Sequence, residues 1–328
     1  KGTDDGMTDA KTIMDRMNRL LAEEDARLTA SFSAPSLPVT FLTSPPRCAS
    51  TLFQQLAAST TNIGYVSNVM ARFWSAPYIG AMIEQDLRDP DFVSGLKSYG
   101  RHYNPVGAEE PHEWGWFWQH WLRLEKGDYY GAPDREIDFG GLNRTLAAIE
   151  KAKGAPLLFD NIFAMTNLGL LARNLPRVLA VNLRRDPYYV ANSIIKARID
   201  RYGDIDAFHS QKPRNIKQIL GLSDPIEQSV AQVRALMDEI EETLAALPGD
   251  SVLHVDYPDI VERPHLVMER FAAFLNSQGA SVRLRDPLPA FPQLRNRNNP
   301  AFIDPAHRER LDYYFVRYFP DAPRPVEA

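Results

Sequence analysis

Three short stretches of this 328-residue chain carry side chains able to hold a charged group or move a proton. The first, TSPPRCAST (43–51), lies between the apolar run VTFL (39–42) and the helical pattern LFQQLAAS (52–59). A strand, a short polar turn and a helix start aim free backbone N–H groups at one spot, where Arg47, Ser50 and Thr51 could surround an anion. The stretch lacks both the glycines and the lysine of G-x-x-x-x-G-K-[ST], so a nucleotide kinase stands only as the alternative. Cys48 beside Arg47 could be an activated thiol, but phosphate chemistry at such a cysteine uses an arginine six residues on, and position 54 is Gln54.

The second stretch is Arg184-Arg185-Asp186-Pro187 after the apolar run VLAVNL (178–183), with Ser193 eight residues beyond Arg185. A permanently charged fork at a strand end, with a hydroxyl on the following helix, suits a phosphate monoester. The third is Glu109-Glu110-Pro111-His112-Glu113 ahead of an aromatic segment. His112 is the first choice for a general base there, because imidazole titrates near neutrality, and Glu113 is the second. HEWGW fails the H-E-x-x-H zinc pattern because its fifth residue is Trp116, and no ligand cluster for a metal stands out.

Positioning these groups is the work of a regular alternation. Apolar runs at 39–42, 156–159, 178–183 and 252–255 read as strands separated by helical patterns, which predicts an α/β fold with a central parallel sheet flanked by helices. An amphipathic helix over 8–28 makes residues 1–30 an N-terminal arm, with Lys1 to Gly6 read as residues added before a natural start at Met7. Residues 31–328 then read as one domain. Residues 76–138, irregular and rich in aromatics, should form a pocket wall. Trp114, Phe117, Trp118 and Trp121 share one helical face, either a core stripe or an apolar floor, while Trp116 points elsewhere and is the better pocket candidate. The histidines at 102, 120, 209, 254, 265 and 307 stand alone and read as structural.

Composition bounds the function. With 44% hydrophobic residues the chain can bury a substantial core, and 37 basic against 42 acidic residues leave no basic field for nucleic acid. No apolar stretch is long enough to span a membrane, and a single cysteine agrees with a reducing compartment, so the expectation is a cytoplasmic protein. A homo-oligomer stays open.

PRCASTL (46–52) resembles the 5'-phosphosulfate loop of the sulfotransferase family, P-[RK]-[ST]-G-[TS]-T-x-L, with Cys48 and Ala49 replacing the usual hydroxyl residue and glycine. Arg185, Asp186-Pro187 and Ser193 resemble the family's 3'-phosphate motif. Tyr257, Asp259, Pro264, Phe274 and Leu275 are similar to its Y-x-D-L-x-x-x-P segment ending in F-L. The resemblance implies a P-loop-type fold and transfer of a sulfuryl group from 3'-phosphoadenosine 5'-phosphosulfate (PAPS) to a hydroxyl or amine of a small acceptor, without a metal. On that reading residues 47–51 (Arg47, Cys48, Ala49, Ser50, Thr51) hold the phosphosulfate, and Arg47 stabilises the leaving oxygen. Arg185 and Ser193 hold the 3'-phosphate, and Arg198 and Arg295, or Arg297 beside it, complete the nucleotide site. The aromatic segment leans toward an apolar acceptor. An alanine at position 49 is tolerated if the loop needs no positive φ there. A non-catalytic nucleotide-binding protein of the same fold is a further alternative.

Overall fold

The structure, a computed structural model, describes residues 10–96 and 106–322; Lys1 to Gly6, Met7 and His102 lie outside the described residues. Its elements, in chain order, are α1 (Ala10–Thr29), β1 (Val39–Thr43), α2 (Ser50–Thr60), α3 (Pro77–Leu87), α4 (Gly115–Trp121), α5 (Phe139–Lys153), β2 (Leu157–Phe159), α6 (Ile162–Thr166), α7 (Leu168–Asn174), β3 (Val178–Arg184) and α8 (Pro187–Tyr202). They continue with α9 (Ile216–Leu220), α10 (Pro225–Ala245), β4 (Val252–Asp256), α11 (Tyr257–Glu262), α12 (Pro264–Ser277) and α13 (Pro305–Tyr318).

The four strands form one parallel sheet in the order β2-β1-β3-β4. All five residues of β1 are buried, as a strand with helices on both faces requires. The period-2 alternation of side chains divides the core into two layers. Val39, Phe41, Val178 and Ala180 face one layer with Trp114, Phe117, Trp118 and the buried face of α5. Leu42, Leu179, Val181 and Leu183 face the other, with α2, α8, α10, α12 and α13. The stripe of Trp114, Phe117 and Trp118 is therefore core.

Helix boundaries follow local chemistry. Asp186, Asp224 and Asp304 each accept a hydrogen bond from a backbone N–H in the first turn of α8, α10 and α13, and each is followed by a proline at the first helical position. Gly203 ends α8 at φ 66°, a left-handed cap open to glycine at no steric cost. The arm predicted at the N-terminus is packed: Asn18 donates to the Arg72 carbonyl at 2.7 Å, and Asp25 accepts from the Ile79 N–H at 2.8 Å.

Strand order decides where a ligand can sit. The chain leaves the central strand β1, goes to β2 on one side and then returns to β3 on the other, so the carboxyl end of β1 is a topological switch point, where such sheets open a crevice. Residues 44–49 leave β1 at that point, Asp160 follows β2 and Arg185 follows β3.

Candidate active site

The turn after β1 is held in an unusual backbone conformation. Arg47 and Ala49 both have φ 72°, in the left-handed region, and Trp114 across the site has φ 55°. For a residue with a side chain this costs about 1–2 kcal/mol, and such strain collects where a site needs a particular geometry. The condition under which an alanine was expected to fit, no positive φ at position 49, is therefore not met. The loop keeps the glycine-type conformation with an alanine in it. That conformation turns Cys48 inward, where it is buried in the core. Burial pushes its thiol up to about 12, against the pull of Arg185 and Arg47, so Cys48 is no nucleophile and offers a ligand only its backbone.

The side chains of the first two motifs meet across β1 and β3. Arg47 Nε donates to Ser193 Oγ at 3.2 Å, and Arg185 Nη1 donates to the Arg47 carbonyl at 2.7 Å. Arg185 is further oriented by Nε donating to Asn298 Oδ1 at 2.8 Å and by stacking over the Tyr257 ring, 4.3 Å from its centroid. Tyr257, the first residue of the third motif, also accepts from the Arg297 N–H at 3.1 Å and donates to the Arg295 carbonyl at 3.4 Å. The late loop therefore reaches the site through Asn298 and its backbone. Arg295 is exposed, and Arg297 is the one of the pair whose charge acts on Arg185.

Arg198 does not join them. It is wholly buried between α8 and α10, where Nη1 donates to the carbonyls of Ile205 and Pro225 and to Gln228 Oε1. A position one turn beyond Ser193 carries it away from the phosphate side, so the expectation for Arg198 is corrected. Thr51 sits half-buried in the first turn of α2.

Beside the loop opens a cavity of about 700 Å3, lined by Pro46, Arg47 and Ser50 of the loop region and by Glu113, Asp160 and His209. This is the size of an ordinary small-molecule site. Tyr129, Ile162 and Met165 add apolar surface, and residues 76–138 supply part of the wall through Glu113 and Tyr129. Trp116 does not line it; it is 57% exposed and packs on Trp74, with ring centroids 5.4 Å apart.

Of the two candidate bases, Glu113 lines the cavity and His112 does not. The His112 ring is engaged elsewhere: its Nδ1 accepts from the Trp114 N–H at 2.8 Å, which props the left-handed turn at Trp114. Burial, and the Arg72 charge, lower it to about 4, so it is neutral near pH 7 and a weak base. The preference for His112 is accordingly corrected. Glu113 is placed by Asn161, whose Nδ2 donates to the Glu113 carbonyl at 2.8 Å while its Oδ1 caps α6.

Sequence did not single out as site residues Asp160 and His209, which line the cavity, or Asn161, which holds the Glu113 carbonyl. His209 is buried and lowered to about 4 by desolvation and by Arg47, Arg201 and Arg198, so it too is neutral. Asp160 and Asn161 had one legible signal, a polar pair directly after a predicted strand of a parallel sheet.

No curated protein matches the chain. Among solved structures, the fold is similar to sulfotransferase STF9 from Mycobacterium avium (12% identity, 94% of this chain and 82% of that one covered, TM-score 0.54). It is also similar to sulfotransferase STF1 from Mycobacterium tuberculosis H37Rv (13% identity, 94% and 87% covered, TM-score 0.51). Residues 38–278, which hold the loop after β1, Arg185 and Ser193 after β3, and Tyr257, match the family model described as sulfotransferase family, and the chain belongs to that family.

Proposed function

We propose that the protein moves a sulfuryl group from PAPS to a hydroxyl or amine of a small acceptor held in the cavity beside residues 44–51. The observation that carries this reading is the mutual engagement of Arg47, Arg185 and Ser193 at the switch point, next to a cavity of about 700 Å3. Two guanidinium groups from different strand ends converge where a nucleotide with two anionic ends needs them. Arg47 bonds Ser193 and Arg185 bonds the Arg47 carbonyl, and each of the three side chains has hydrogen-bonding capacity that a ligand oxygen can use.

In this reading the backbone N–H groups of residues 48–51 and the start of α2 cradle the phosphosulfate, while Arg185 and Ser193, steadied by Asn298 and Tyr257, take the 3'-phosphate. Arg47 is a fixed cation and cannot act as a base; it stabilises charge on the leaving oxygen. Glu113 faces the cavity and removes the acceptor's proton as the acceptor attacks in line. Carboxylates and His209 line the cavity with Ile162 and Met165, so the wall suits an acceptor with several polar groups, against the lean toward an apolar one that the aromatic segment had suggested. The chemistry needs no metal. The one cysteine, buried and unpaired, supports a cytoplasmic setting.

Calorimetric titration with 3',5'-adenosine bisphosphate (PAP), the desulfonated donor, tests the donor site without an acceptor. Wild-type protein should bind, with ATP a poor competitor, and Arg185→Ala should weaken binding by about 10- to 100-fold, the worth of charged hydrogen bonds. Absence of binding at millimolar PAP would remove the donor assignment.

A further inference from the structure

Asp160 is a carboxylic acid in a place built for an anion. It directly follows β2, whose Phe159 is paired in register with Phe41 of β1, so it stands beside the beginning of the donor loop. Its carboxyl accepts a hydrogen bond from Ser50, the first residue of α2, and both residues line the cavity. The other carboxyl oxygen, Oδ2, is buried and has no hydrogen-bond partner among the described residues. A buried carboxylate oxygen with nothing to accept from is costly, whereas a protonated one can donate.

The conflict sharpens when the site fills. On the reading above, the phosphosulfate is cradled by residues 48–51 at the start of α2; a sulfuryl oxygen that reaches the Ser50 hydroxyl there would make two anions share one hydroxyl proton. Neighbouring like charges are relieved by protonating the weaker acid. The sulfuryl group is the anion of a strong acid and stays charged, so the proton goes to the carboxyl.

We propose that Asp160 is a positioning residue that takes up one proton from solvent as the donor's sulfuryl group binds. Its new O–H donates to Ser50 Oγ, which frees the Ser50 hydroxyl proton to bond a sulfuryl oxygen. The hydrogen-bond direction through Ser50 reverses, and no bond other than the O–H of Asp160 is made. The proposal rests on the loop being the sulfuryl site. Desolvation already raises Asp160 to about 6 in the free protein, against the lowering contact from Ser50, so the carboxyl is poised to accept a proton near neutrality. The titratable and charged groups facing the same cavity are Arg47, Glu113, Tyr129, Asp200, Arg201, Tyr202 and His209. His209, lowered to about 4, does not change charge in the range concerned.

The test is calorimetric titration with PAPS between pH 5.5 and 8, in paired buffers of different ionisation enthalpy, on wild type, Asp160→Asn and Ser50→Ala. The nucleotide's own phosphate ionises in this range, so the wild-type minus Asp160→Asn difference isolates the residue. Wild type should take up close to one proton more than Asp160→Asn at pH 7.5, and its affinity relative to that variant should fall about tenfold per pH unit above 6. Asp160→Asn, whose amide can donate to Ser50 permanently, should keep tight binding at pH 8, while Asp160→Ala should not. Ser50→Ala removes the contact that lowers Asp160, so its pH dependence should begin at higher pH; this variant leaves the carboxyl intact should the Asn variant fold poorly. Equal proton uptake by wild type and Asp160→Asn, with Ser50→Ala unshifted, would overturn the proposal while leaving the donor site standing. Failure of wild type to bind PAPS and PAP alike would instead remove the donor site itself.

Discussion

At the scale of single residues, the site separates groups that look alike in sequence. His112 and Glu113 are adjacent, yet the helix start at Trp114 turns the imidazole toward a backbone N–H and leaves the carboxylate on the cavity wall. With an acceptor in hand, Glu113→Gln should lower kcat by about 100-fold or more, the usual worth of a positioned base, while His112→Gln should leave kcat within a few-fold. Proton NMR should find the His112 and His209 imidazoles unprotonated until pH falls toward 4. The sign follows from linkage. A histidine whose folded value is depressed stabilises the fold fully above its unfolded value of about 6.5, and that contribution drains away as pH drops toward 4. Asp25 and Asp160, each raised to about 6 by burial, work in the opposite direction over the same window.

At the scale of elements, the loop between β1 and α2 is held in a left-handed conformation that an alanine does not favour by itself. Ala49 at φ 72° is the residue before α2, and its carbonyl accepts the Phe53 N–H at 2.9 Å, so the helix begins from a left-handed residue. Ala49→Gly removes the steric cost of that conformation but gives the unfolded chain more freedom. The balance should stabilise the protein by roughly 0.5 to 1 kcal/mol in urea denaturation, with PAP affinity unchanged. A loss of stability would show that the Ala49 methyl, which packs at the edge of the core, contributes more than its backbone costs.

At the scale of the whole molecule, the site is assembled from four distant parts: the turn after β1, the end of β2, the junction of β3 with α8, and the late loop that returns Asn298 to Arg185. A ligand touching all of them binds only the folded chain. PAP at about 100 times its Kd should therefore add about 2.7 kcal/mol to unfolding. For a chain of 328 residues that is a rise in Tm of about 4 °C, using about 2.1 cal/mol/K per residue. ATP at the same concentration should leave the melting curve where it was. No helix among the described residues is long and apolar enough to cross a membrane.

What the sequence determined by itself is what near neighbours decide. The four strands and the helices between them were legible because alternation of apolar residues reflects burial on two faces, and Asp-Pro pairs mark helix starts through a hydrogen bond only two residues long. The loop with Arg47, and Arg185 with Ser193, were legible for the same reason, since each motif spans a single strand-to-helix turn. Only the tertiary structure decided which isolated residues join them. The Asp160-Asn161 pair, His209 and Asn298 lie far apart in the chain, and only the pair carries a local signal; the order β2-β1-β3-β4 and the return of the late loop bring them toward one place. Packing, likewise a property of the folded molecule, buried Cys48 and Arg198 and turned the His112 ring toward the Trp114 N–H.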